Sequence, residues 1–163
     1  MGKRNLTGYD ADFRDWGANY WFQNTRLPYY SMLYSGDFEL IKPLFKMYTS
    51  ALPLAKYRTQ KYFNHEGAYF PETMTPWGTY ANDNYGWNRK NLADGVSENM
   101  YIRYLWEGSL ELSNLMLDYY AFTKDQQTFI KEHLPFIKEI IWFYNAHYKR
   151  NTSNQIVIEP AQS

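Results

Sequence analysis

Apolar side chains recur at three-and-four spacing through four stretches of this 163-residue chain, and that period decides what it can fold into. The clearest stretch is 37–63, where Phe38, Ile41, Leu44, Phe45, Tyr48, Ala51, Leu52 and Ala55 mark one face of an amphipathic helix. Pro43 and Pro53 argue against a straight rod, yet the period is strong enough to keep the helix. Before it, 19–35 carries Trp21, Phe22, Leu27, Met32 and Leu33, and Pro28 either starts that helix or kinks it. Gly36 suits its C′ position, and Asp37 suits the N-cap of the next helix. A third helix is expected over 97–122, capped by Ser97, with Met100, Tyr104, Leu105, Leu112, Leu115, Met116 and Tyr119 as its stripe. A fourth covers 126–149, with Pro135 as a candidate break. Thr123 and Gln126 have the spacing of a capping box, and Asp125 is an alternative cap. Ile156-Val157-Ile158 is a short β-like run, and no other segment alternates with period two. The fold class is therefore all-α.

Composition excludes several roles. Lysine plus arginine balance aspartate plus glutamate at 17 each, and the isoelectric point is near 6.8. No basic field is available for a phosphate backbone, so nucleic acid is not an expected partner. Neither is a membrane, because no window is apolar enough to span one. With no cysteine, disulfides, thiolate metal sites and thiol nucleophiles are excluded. The three histidines, His65, His133 and His147, are scattered, and no metal or other cofactor is expected. What the chain has in excess is aromatic material, 20 % of its residues, at a mean hydropathy of −0.66. Such rings, many with a hydroxyl or indole N–H, fit either a half-exposed helical core or an aromatic cleft that stacks on sugars.

The segment 64–97 has no clear period, and a loop of that length is usually functional or disordered. Tyr69, Phe70, Trp77, Tyr80, Tyr85 and Trp87 argue against disorder, and Glu66, Glu72, Asp83 and Asp94 make the segment acidic. An ordered, aromatic, acidic loop on a helical scaffold points to a site; the alternative is a structural cover over helix ends. On the third helix, Glu107 and Glu111 are four apart and share a face, with Trp106 beside them. Like charges at that spacing suit a wet surface, or a site in which one carboxyl must hold its proton. Glycoside cleavage needs one protonated carboxyl and a second carboxylate roughly 5–9.5 Å from it. Helical neighbours oppose each other poorly, so Glu72 or Asp94 from the loop would face them better.

Four short motifs carry a family resemblance. Asn24-Thr25, Tyr29 and Pro43-Leu44-Phe45 are similar in order and spacing to a segment of (α/α)6-barrel α-L-fucosidases. Gly67-Ala68-Tyr69-Phe70-Pro71-Glu72 resembles the Gly-Ala-x-x-Pro turn of maltose and kojibiose phosphorylases. Tyr119-Tyr120-Ala121-Phe122-Thr123-Lys124-Asp125, with Phe129-Ile130 after it, resembles a helix junction shared by that superfamily. Glu159-Pro160-Ala161-Gln162-Ser163 resembles a further stretch of it. The chain thus looks like a six-hairpin glycosidase, similar to glycosidase-like proteins of Bacteroides-type gut bacteria.

The resemblance implies a toroid of twelve helices that binds carbohydrate at an aromatic, acidic mouth. On the phosphorylase pattern Glu107 is the carboxylate nearest the general-acid position, and Glu111 falls where that family has an aspartate. Asn24 matches an active-site asparagine of the fucosidases, whereas a second asparagine two residues earlier is Phe22 here. The expected catalytic residues are then Glu107, Glu111 and Glu72, with Asn24, Trp21, Trp77, Trp87, Asp94 and Trp106 binding substrate. Twelve helices need at least roughly 200 residues, so residues 1–163 read as part of a larger catalytic domain. A part of a toroid leaves helix faces uncovered, which implies self-association, and on its own it is expected to be inactive. The N-terminus has no apolar signal core, while the resemblance implies a periplasmic or secreted bacterial parent. The competing reading is a non-catalytic helical sugar-binding or scaffold domain.

Overall fold

The computed structural model describes residues 4–5, 8–9, 19–81, 85–98 and 107–159. A two-residue antiparallel ribbon, β1 (Arg4–Asn5) and β2 (Gly8–Tyr9), comes first. A third strand, β3 (Tyr20–Trp21), leads into α1 (Phe22–Thr25) and α2 (Leu27–Ser35). The helix expected over 19–35 is therefore a strand and two helical pieces, and Pro28 lies in the first turn of α2, where its missing N–H has no helical partner to lose. Gly36 ends α2 in the left-handed conformation, as its lack of a side chain allows.

The strongest period produces the longest element. Helix α3 (Phe38–Phe63) runs unbroken through Pro43 and Pro53, which lie on its exposed side. Ile41, Leu44, Phe45, Tyr48, Ala51 and Ala55 face the core. Asp37 precedes α3 without capping it, because its carboxylate accepts from Ser35 Oγ at 2.6 Å. The third helix, α4 (Glu107–Thr123), buries Leu112, Leu115, Met116 and Tyr119. Ser97 and Glu98 are not helical, and Met100, Tyr104, Leu105 and Trp106 lie outside the described residues.

Asp125 caps α5 (Gln126–Thr128), accepting from the Thr128 N–H at 3.0 Å. Thr123 instead donates to the Tyr119 carbonyl, so the capping-box spacing is not used. One π-helical turn, Phe129–His133, then joins α5 to α6 (Leu134–His147). The break expected at Pro135 takes this form: a proline at the start of α6 has no N–H to return, and the preceding turn widens. Val157 donates to the Lys149 carbonyl and Ile156 bridges Arg150, so the β-like run forms a small hook after α6. α4 and α6 pack on each other, and α3 packs on α2, α4 and α6 around one core.

The segment 64–97 is ordered where it is described, and its first part runs through the protein. Residues 67–74 are all buried. β4 (Thr73–Met74) pairs antiparallel with β3, Trp21 opposite Thr73, and the Phe22 N–H donates to the Glu72 carbonyl at 2.9 Å. The entry to this run is fixed by Gly67, whose φ is +94° and whose missing Cβ would lie 2.4 Å from the Phe143 nitrogen. Arg58 of α3 donates to the Gly78 carbonyl and lies over the Tyr80 ring at 4.8 Å, tying the loop down further on.

A histidine pair closes the same junction. His65 Nδ1 can only donate to the Glu66 carbonyl, 2.7 Å away, so neutral His65 accepts at Nε2 from His147 Nδ1 at 2.8 Å. Burial, and then the neighbouring His65, lowers the His147 pKa to about 4. Folding thus favours the neutral ring, and its contribution is complete above the ordinary 6.5 and is lost as pH falls toward about 4.

Two outcomes are expected. Gly67→Ala lowers stability by roughly 3 kcal/mol in urea titrations, since the added carbon meets backbone and the residue must hold positive φ. Thermal midpoints measured from pH 7 down to pH 4 fall more steeply for the native chain than for His147→Phe; parallel slopes would remove His147 as the cause.

Candidate active site

Glu72 sits at the end of the buried run, 7 % exposed, with its Oε1 sealed and no hydrogen-bond partner among the described residues. Burial strips a carboxylate in that position of hydration, so the neutral acid is favoured. Burial pushes the Glu72 carboxyl above its usual range, the nearby charge of Glu107 pushes the same way, and Arg26 opposes both. The fold therefore pushes Glu72 toward its protonated form.

Glu107 and Glu111 share a face of α4, as their spacing requires, but their surroundings differ. Glu107 is exposed, and its charge also helps to raise Tyr144 and Tyr148 on the α6 side, where burial is the larger cause. Glu111 is half-buried and anchored: its Oε1 accepts from Arg26 Nε at 2.7 Å and from the Tyr30 hydroxyl at 2.6 Å. Arg26 stands at the junction of α1 and α2, where its backbone N–H closes α1 onto the Phe22 carbonyl. One guanidinium thus bears on two of the three carboxylates, directly on Glu111 and through space on Glu72.

The other expected residues distribute unevenly. Trp21 is half-buried on β3 beside this group, its indole N–H sealed and unpartnered among the described residues. Asn24 is exposed on α1, two residues before Arg26. Asp94 is not brought to the carboxylates: it is exposed and pairs with Lys61 at 2.5 Å near the end of α3, which lowers its pKa. Trp77 and Trp87 are 68 % and 73 % exposed on the loop. Trp106 and Asp83 lie outside the described residues. Arg26 and Tyr30, which carry most of the geometry at Glu111, follow directly on the Asn24-Thr25 and Tyr29 motif, and that adjacency was the available signal. Among the described residues no group of three or more histidine, aspartate or glutamate side chains could hold a metal ion.

These features define a class, a helical scaffold that gathers carboxylates of unlike environment beside aromatic side chains. Residues 5–163 match the glycosyl hydrolase family 95 catalytic domain. The chain belongs to that family, a member of the six-hairpin (α/α)6 superfamily that its motifs resemble. No curated protein and no solved structure matches it.

Arg26→Gln removes the cation that opposes burial and Glu107 at Glu72. The Glu72 titration midpoint, read by carbon-13 carboxyl resonances, is expected to move upward; a midpoint that stays or falls would remove Arg26 from its electrostatics.

Proposed function

We propose that this chain forms the acidic wall of a glycoside hydrolase active site that cleaves an oligo- or polysaccharide by carboxylate acid/base catalysis. The observation that carries the reading is Glu72, a buried carboxyl whose Oε1 has no partner among the described residues and which feels the charge of Glu107, in a chain of this catalytic family. In this reading Glu72 gives its proton to the glycosidic oxygen as the bond to the anomeric carbon breaks. Glu107, exposed on α4, is the second carboxyl group, acting from the sugar side as base toward water or as nucleophile. Glu111, held by Arg26 and Tyr30, orients the bound sugar. Asn24 and Trp21, next along the β3–α1 segment, supply a hydrogen bond and a stacking surface. Trp77, Trp87 and Asp94 belong to the outer loop and contact more distant sugar units.

The same reading makes residues 1–163 one part of a toroid whose further hairpins complete the mouth. Tyr34 and Trp142, 81 % and 54 % exposed, lie on helix faces that such hairpins, or a second copy of the chain, would cover.

Hydrolysis of a panel of aryl and natural glycosides by the protein that carries this chain tests the assignment. Glu72→Gln and Glu107→Gln are expected to lower kcat by roughly 10²–10⁴-fold, while Glu111→Gln acts mainly on KM. Unchanged turnover in all three variants would contradict the reading. Glycan binding without any hydrolysis by the native protein would favour a sugar-binding domain instead.

A further inference from the structure

Glu72 Oε1 is not alone in lacking a partner. The Tyr48 hydroxyl of α3 and the Ser109 hydroxyl of α4 are also sealed and unpartnered among the described residues. All three side chains line one crevice, together with Phe22, Phe70 and Gly108. Buried polar atoms without partners are rare in folded proteins, a few per hundred residues. Three lining one crevice, two hydroxyls able to donate and one carboxyl oxygen able to accept, form a matched set. The crevice has no room for a water-sized sphere, so the groups can satisfy one another only by meeting directly. Rings fix the walls: Tyr48 packs edge-on against Phe22 at 6.0 Å and Phe70 at 5.2 Å. Gly108, next to Ser109, leaves α4 without a side chain at this point.

We propose that Tyr48 and Ser109 are positioning residues for Glu72, a pair of hydroxyl donors that closes on its buried oxygen once the carboxyl has given up its proton. In the structure the three groups stand open, without partners among the described residues. When the O–H bond of Glu72 breaks and the proton goes to the leaving oxygen, the charge left on the carboxylate gains two hydroxyl hydrogen bonds. The device makes proton transfer less uphill by offsetting part of the rise that burial and Glu107 impose on the Glu72 carboxyl. The charged groups that face Glu72 are Glu107 on α4 and Arg26 between α1 and α2, and α3 presents the Tyr48 phenol. The catalytic meaning of the device rests on the reading of Glu72 as proton donor.

The test is a carbon-13 carboxyl titration of Glu72 in the whole chain, with near-ultraviolet circular dichroism to verify native packing. Ser109→Ala and Tyr48→Phe each remove one donor with little change of volume. Each is expected to raise the midpoint by about one pH unit, the worth of a hydrogen bond to a charged group. Ser109→Thr keeps the hydroxyl and is expected to titrate like the native chain. Midpoints unchanged in both Ser109→Ala and Tyr48→Phe, or Ser109→Thr moving with Ser109→Ala, would overturn the proposal. Hydrolysis by Glu72→Gln stays a separate measure: retained turnover with shifted midpoints would sink the proton-donor reading and leave the positioning pair standing.

Discussion

The passage of residues 67–74 through the protein is the constraint on which the site depends. The run enters where Gly67 lies against the Phe143 backbone and leaves through the pairing of β4 with β3. Between those two fixed points every residue is buried, so the Glu72 side chain is only 7 % exposed and its Oε1 is sealed. A glutamate there is an unfavourable choice for stability. Its fold-favoured form is neutral, so its contribution is complete below the ordinary carboxylate range and declines as pH rises through its raised value. Families tolerate such residues at sites where the perturbed acid is used, which is the sense in which a weak point of the fold becomes its chemistry.

The surrounding charges give three glutamates unlike environments. Glu107 remains near solvent and repels a second negative charge at Glu72. Glu111, one helical turn away, is neutralised by Arg26 and bonded by Tyr30. Arg26 moderates the opposition at Glu72 without touching it, and its own position is set by the four-residue α1 that starts beside β3. Strand, short helix and buried run are therefore one unit: the Phe22 N–H that bonds the Glu72 carbonyl also begins the element that places Arg26.

Long-period features were legible in the sequence, and short-range ones were not. The stripe from Phe38 to Ala55 specified α3 despite two prolines, because a helix of that length tolerates lost N–H groups on its exposed side. Pro135 marked the π-turn to within two residues. By contrast β3 and β4 are two residues each, too short to show alternation, and Asp37 had an equally good partner in Ser35 that no spacing rule weighs. Glu107 and Glu111 were readable as a pair from their spacing alone. Their inequality was not, since it comes from Arg26 and Tyr30 on another element. Asp94 read like Glu72 in the sequence, an acid in an aromatic loop, and Lys61 holds it elsewhere. The burial of Glu72 was hinted only by Tyr69-Phe70-Pro71 before it.

The carboxyl pKa of Glu72 in the folded chain tests the account most directly, measured by carbon-13 resonances with the urea-unfolded chain as reference. The account predicts a folded midpoint clearly above the ordinary 4.5 of a glutamate and a return to that value on unfolding. A folded midpoint at or below 4.5 would mean that Glu72 is ionised in place, and the proton donor would have to be sought elsewhere.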